Sequence, residues 1–149
     1  MKDFRVSGKA CAFCQIAGGE LSAQVVLEDP CCLAFLDRRP LFPGHCLLVP
    51  REHVGTLGEL PDELVAPLFS AARLLSRAVQ SALAAEGSFV AINNVVSQSV
   101  PHLHVHVVPR RKRDGLKGFF WPRSGYRDAE HEREVQEALR AEVERLRGS

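Results

Sequence analysis

The sequence has almost no excess charge of either sign: 19 Lys and Arg stand against 18 Asp and Glu, a net charge of +1 with histidine neutral. That balance argues against bulk binding to nucleic acid or to an anionic membrane surface. It also lacks long hydrophobic runs. Stretches such as Cys46 to Pro50 fall far short of the roughly 20 apolar residues a membrane-spanning helix requires. The opening MKDFRVSGKA carries no apolar core, so no secretory signal is visible and a cytoplasmic location is expected. Cysteine is sparse and odd in number, five in all, which speaks against a disulfide framework and for reduced thiols. Internal repeats and low-complexity linkers are missing too. What is there is 149 residues, 46% hydrophobic, enough for one domain with its own core.

Along the chain, residues 1–10 are polar and read as a flexible N-terminus. Two apolar stretches, 24–28 and 32–36, flank Asp29-Pro30 and read as a hairpin. Pro43-Gly44 closes a loop, and 45–49 reads as a third strand. Between 61 and 86, Leu64, Leu68, Ala72, Leu75, Val79 and Leu83 recur at helical spacing. Pro67 suggests a regular start only near Ala66, and Gly87 offers a left-handed stop. Strands follow at 89–93 and 102–108. From Asp128 onward, Val135, Leu139, Val143 and Leu146 mark an amphipathic helix capped by Asp128. These elements predict an α+β domain, a five-stranded antiparallel sheet with one long helix and a C-terminal helix. Residues 11–110 form its main body, with 111–149 an extension of the same domain.

The chemistry concentrates in Val100-Pro101-His102-Leu103-His104-Val105-His106-Val107-Val108-Pro109. On a strand, alternate side chains share a face, so His102, His104 and His106 line one side while Leu103, Val105 and Val107 enter the core. Three readings are open: a polar strand face, a catalytic pair of metal ligands such as His102 and His104, or a histidine nucleophile flanked by phosphate donors.

This segment, with Gln98 and Ser99 before it and Arg110 after it, resembles the signature of the histidine triad (HIT) family of nucleotide hydrolases and transferases. Cys11-Ala12-Phe13-Cys14-Gln15-Ile16, Phe35-Leu36-Asp37-Arg38-Arg39-Pro40 and Pro43-Gly44-His45-Cys46-Leu47-Leu48-Val49-Pro50 with Arg51-Glu52-His53 are similar to three further stretches of that family, in order. The resemblance implies that His104 attacks the α-phosphorus to give a nucleotidyl-histidine. It implies that His106 donates to the phosphate oxygens, that His45 orients the triad, and that Ser99 lies near the leaving group. It places Asp37 on the ribose hydroxyls, Phe13, Ile16 and Phe35 around a purine base, and Asn93 and Gln98 on the nucleotide. It implies a homodimer, and no cofactor for catalysis. Related alternatives are a phosphorylase-like transferase and a nucleotide-binding regulatory module.

Cys11-x-x-Cys14 has the spacing of half a zinc site. Some prokaryotic HIT proteins complete such a site with histidines at the positions of His53 and His102, so a structural zinc held by Cys11, Cys14, His53 and His102 is expected. Cys31, Cys32 and Cys46 read as buried apolar residues. The family's glycine-containing loop is here Asn94-Val95-Val96-Ser97, shorter and without glycine. The basic run 110–113 reads as a solvated face, and 119–122 as an apolar segment that packs across a dimer.

Overall fold

Asp29 nucleates the first hairpin: its carboxylate accepts the backbone N–H groups of Cys31 and Cys32 at 2.8 and 2.7 Å, an Asx turn that folds the chain back. The computed structural model describes residues 11–117 and 123–149. The stretch 1–10, expected to be flexible, and the segment 119–122, expected at a dimer contact, lie outside the described residues. The hairpin joins β1 (Val25–Glu28) to β2 (Cys32–Leu36), and β3 (Cys46–Pro50), β4 (Gly87–Ile92) and β5 (Val105–Arg110) complete a sheet of order β1-β2-β3-β5-β4. Every neighbouring pair is antiparallel. The five-stranded antiparallel α+β architecture is therefore the one the sequence predicts.

Both faces of the central strands are buried. Cys32, Ala34, Cys46, Leu48, Val105 and Val107 pack beneath α2 (Asp62–Leu83), against Leu68, Ala71, Ala72, Leu75 and Val79. The opposite face carries Leu33, Phe35, Leu47 and Val49 against the short helix α1 (Ala12–Ala17). Strands covered on both sides carry continuous apolar runs, which is why β2 and β3 read CLAFL and CLLVP. Of the three cysteines read as buried, Cys32 and Cys46 are buried and Cys31 is half-buried.

Several boundaries differ from the sequence reading. Helix α2 begins at Asp62, with Pro67 inside it. The bond proline removes would have ended on the Glu63 carbonyl, in the exposed first turn where water replaces it. The left-handed cap is Ala84, at φ 51°, and Gly87 instead opens β4. Leu83, on the expected core face, is exposed. β5 starts at Val105 because the Leu103 N–H donates to the Val54 carbonyl at 2.6 Å, outside the sheet ladder. Leu103 still enters the core beneath α2 with Val105 and Val107, so the alternation outlives the ladder.

The chain divides into two compact units, Met1–Asp114 and Gly115–Ser149. In the second, α3 (Ala129–Arg147) is capped by Asp128, whose carboxylate accepts the His131 N–H at 2.7 Å. At the end of β5 the basic run is tied down locally. Arg110 forks onto Asp114, Arg111 donates to the Leu83 carbonyl, and the Lys112 N–H donates to Glu86. Among the described residues, no helix is long and apolar enough to cross a membrane.

Two substitutions test the strain at these left-handed positions. Gly44 sits at φ +100° and an added Cβ would meet Leu83 Cδ1 at 2.2 Å. Gly44→Ala should lower unfolding free energy by about 1–3 kcal/mol, whereas Ala84→Gly, which relieves left-handed strain, should raise it by up to about 1 kcal/mol. Urea denaturation midpoints at constant m-value check both signs.

Candidate active site

The site begins with a turn. Phe42-Pro43-Gly44-His45 is closed by the His45 N–H donating to the Phe42 carbonyl at 3.0 Å, with Pro and the positive-φ Gly in its two central places. This turn delivers His45 to the start of β3. The Leu41 N–H donates to His45 Nδ1 at 3.1 Å, which leaves the ring proton of neutral His45 on Nε2. His45 Nε2–H then donates to His106 Nδ1 at 2.9 Å. His106 in turn carries its proton on Nε2, on a ring that lines the cleft. One backbone N–H thus sets two tautomers. Burial holds both rings neutral: it lowers His45 below its ordinary pKa against the pull of Asp37. It drives His106 down to about 4, helped by His104 and His45.

His104 is oriented separately. Its Nδ1–H donates to the His102 carbonyl at 2.7 Å, so the lone pair lies on Nε2. The His104 ring is buried, stands 4.9 Å from His106, and meets Phe13 edge-on at 5.1 Å. A cleft of about 480 Å³ opens in front of the two rings. Phe13, Ile16, Phe35 and Leu47 supply its apolar wall, and Asp37 and Ser99 supply polar groups. Asp37 Oδ1 accepts the Arg39 N–H at 2.8 Å, and Oδ2 lies 3.7 Å from His45 Nε2.

Two residues expected on the nucleotide lie outside that lining. Asn93 is not part of it. Gln98 braces a loop instead, accepting from the Val95 N–H at 3.0 Å and donating to the Gly55 carbonyl at 2.7 Å. Asn94 accepts the Leu57 N–H at 2.7 Å from the other side. Within this brace Val95 and Ser97 take φ values of 67° and 61°. The glycine-free loop therefore follows a glycine-like path at a cost of about 1–3 kcal/mol per residue, and Ser99 at its end reaches the cleft.

His102 faces elsewhere. Its Nε2–H donates to the Pro50 carbonyl at 2.9 Å, which turns Nδ1 toward Cys11 Sγ at 3.4 Å and Cys14 Sγ at 3.5 Å. Cys14 Sγ lies 3.2 Å from His53 Nδ1, and the four ligand atoms all fall within 4.8 Å of one another. A tetrahedral zinc with ordinary bond lengths has S···N edges of about 3.6 Å, so the spacing and the two-thiol, two-imidazole donor set suit zinc. The hydrogen bond to Pro50 is the outer support such a ligand normally carries. Without a cation, burial and the neighbouring Cys11 push the Cys14 thiol up to about 11. His102 and His104 do not converge as a catalytic metal pair, since His102 is turned to the thiols.

Some of the site escapes sequence reasoning. α1 has Cys11 as its N-cap, its thiol accepting the Cys14 N–H at 3.4 Å, and cysteine is not a usual cap signal. The rim residues Leu21, Ser22, Ala23 and Gln24 carry no motif. They are placed by a long-range bond, Arg38 donating to the Ser22 carbonyl at 3.0 Å.

Comparison with known proteins gives the arrangement a family. A model of the HIT domain matches residues 18–113. The chain is 38% identical over 108 residues to the adenylylsulfatase HINT3 of Arabidopsis thaliana, covering 71% of this chain and 55%, about half, of that protein. It is 34% identical over 115 residues to the adenosine 5'-monophosphoramidase hnt1 of Schizosaccharomyces pombe, covering 76% and 84%. Its fold is similar to a HIT family member from Bacillus subtilis at TM-score 0.80 and 30% identity, over 89% of this chain and 96% of that one. It is also similar to a zinc-bound histidine triad protein from Mycobacterium smegmatis at TM-score 0.71 and 34% identity, over 94% and 99%. With a family model covering most of its length and the three histidines held as described, the chain belongs to the HIT family.

Proposed function

We propose that this protein is a nucleotide hydrolase that cleaves the α-phosphate bond of a purine nucleotide conjugate through a nucleotidyl-His104 intermediate. The observation that carries this reading is the hydrogen bond from His104 Nδ1–H to the His102 carbonyl, which leaves Nε2 free as a nucleophile beside the Nε2–H donor of His106. Neutral imidazole is the form that attacks phosphorus. The relatives named as an adenylylsulfatase and an adenosine 5'-monophosphoramidase support hydrolysis at an adenylyl group.

In the first half-reaction His104 Nε2 bonds to the α-phosphorus as the bond to the leaving group breaks. His106 Nε2–H donates to the non-bridging oxygens and stabilises the charge that develops there. The Ser99 hydroxyl, at the end of the braced loop, is placed to donate to the departing atom. Water then displaces His104 and releases the nucleoside monophosphate. Phe13, Ile16 and Phe35 hold the base, and Asp37, part of the cleft lining, accepts the ribose hydroxyls with its two carboxylate oxygens. Asn93 contacts the ribose-phosphate side of the nucleotide, and Gln98 acts through the loop it braces. Cys11, Cys14, His53 and His102 would hold a structural zinc, which fixes His102 and through it the carbonyl that orients His104. The active form is a homodimer, for which exposed Val65 and Phe69 on α2 and Val90 on β4 offer apolar surface.

The test is product analysis on adenosine phosphoramidate, adenylyl sulfate and a diadenosine polyphosphate. Wild type should release AMP from at least one, and His104→Ala should lose about 10⁴-fold or more in kcat while keeping AMP affinity. Full turnover by His104→Ala would overturn the mechanism. His106→Gln should cost roughly 10²-fold in kcat, the scale of one lost oxyanion donor.

Stability should also depend on acid pH in a defined window. His45 and His106 have folded pKa values below the unfolded value of 6.5, so the unfolded chain gains protons first as pH falls. Their neutral burial is free of this penalty above pH 6.5, and stability is lost progressively from there down to about 4. Denaturation midpoints across that window should fall more steeply for wild type than for His106→Gln.

A further inference from the structure

The Cys11–Cys14 pair does more in this fold than its distance from the phosphorus chemistry suggests. The two thiols flank Ala12 and Phe13, both of which line the cleft. Phe13 touches three rings at once: Phe35 at 5.4 Å, His102 at 5.9 Å and His104 at 5.1 Å. His102 belongs to both constellations. Its ring joins the thiols, and its carbonyl holds His104 Nδ1–H. Whatever moves the two sulfur atoms therefore moves one wall of the base pocket and the support of the nucleophile together.

The pair also has the spacing and the solvent opening a dithiol modification site needs. The two Sγ atoms lie within 4.8 Å of each other, and Cys14 is partly open to solvent while Cys11 is buried. The remaining cysteines sit apart from this cluster, Cys32 and Cys46 beneath α2 with Cys31 packed against them. A disulfide requires the sulfurs to close to about 2.05 Å, whereas a shared tetrahedral zinc holds them at about 3.8 Å. The two states are mutually exclusive, and one of the sulfurs that must move, Cys11 Sγ, is the one that accepts the Cys14 N–H and caps α1.

We propose that Cys11 and Cys14 form a reversible oxidation site that gates the nucleotide cleft: a peroxide converts the pair to a disulfide, expels the metal, withdraws Phe13 from the cleft wall and shifts the His102 carbonyl that supports His104. A Cys14 thiolate attacks one peroxide oxygen to give a sulfenic acid and hydroxide. The Cys11 thiolate then attacks the Cys14 sulfur, releasing a second hydroxide. Two protons from solvent convert both hydroxides to water, so two thiolates are oxidised and one peroxide is reduced. Expulsion leaves the fully buried His102 Nδ1 facing a disulfide that offers it no bond, and the ring must shift with the carbonyl it carries. A thiol reductant and zinc reverse the change. The gating half rests on the nucleotide reading of the cleft; the oxidation half does not.

The experiment uses the full chain loaded with zinc and treated with hydrogen peroxide. It follows zinc release with a colorimetric chelator, the Cys11–Cys14 linkage by peptide mass spectrometry, and AMP affinity by calorimetry. One zinc should leave for each disulfide formed, and AMP affinity should weaken by roughly tenfold or more. Both should recover with dithiothreitol and zinc. A Cys31→Ser/Cys32→Ala/Cys46→Ala variant, which puts no hydroxyl into the core, should oxidise and release zinc as wild type does, which keeps the test independent of variants at the metal cluster itself. Linkage to another cysteine, irreversible sulfinic acid, or no zinc bound at the outset overturns the oxidation site. A Cys11–Cys14 disulfide with unchanged AMP affinity overturns the gating. Untreated protein that binds no AMP overturns the nucleotide reading instead, while the linkage and zinc measurements still decide the oxidation site.

Discussion

The hydrogen bond from His104 Nδ1–H to the His102 carbonyl is the constraint on which the site turns, because it does two things that no side-chain acceptor could do as firmly. It fixes the tautomer that leaves a lone pair on Nε2, and it ties that tautomer to the backbone rather than to a rotamer. A carboxylate partner would hold the same proton but would also stabilise the imidazolium form, which cannot attack. A carbonyl carries a dipole and no net charge. The position of the carbonyl is in turn fixed by a residue whose ring is anchored at both nitrogens, to Pro50 and toward the Cys11–Cys14 pair. The four residues that could hold a metal ion thus stand directly behind the carbonyl that orients His104.

His106 is held by a different device with the same logic. The Leu41 N–H can only donate, so His45 Nδ1 must accept; His45 Nε2–H then donates to His106 Nδ1 and leaves a donor pointing into the cleft. The relay works only while both rings are neutral, and burial keeps them so. The two histidines that face the cleft therefore offer opposite groups, a lone pair from His104 and an N–H from His106, although they are two residues apart on one face. The difference comes from which backbone atom each meets, and a sequence does not display backbone atoms.

That distinction also sorts what the sequence made legible. The alternation from His102 to Val107 was readable because a pleated chain sends alternate side chains to opposite faces, and burial enforces it even where the ladder has not begun. The paired thiols were readable through metal-ligand spacing, and His53 only through the family resemblance. The sheet followed from hairpin signals such as Asp29-Pro30. What stayed hidden depends on contacts distant in sequence. β5 begins three residues late because Leu103 bonds to Val54; α1 forms around a cysteine cap; the cleft rim depends on Arg38 meeting Ser22. Gln98 is expected on the nucleotide only through the family resemblance, and no local signal announces that each end of its amide also bonds the loop backbone.

The loop from Asn94 to Ser97 shows how such bracing substitutes for composition. Glycine would enter the left-handed region without strain, but it would also leave the loop free to abandon it. Val95 and Ser97 hold that conformation against their own preference, because Gln98 grips Gly55 and the Val95 N–H while Asn94 grips Leu57. A strained, doubly pinned loop offers fewer alternative paths than a relaxed glycine loop of the same length. The cost is borne in the folded state, and the return is a Ser99 hydroxyl delivered to the cleft with little left to order when substrate arrives. Shortening the loop and removing its glycine are therefore compatible with preserving the site, provided the bracing amides stay.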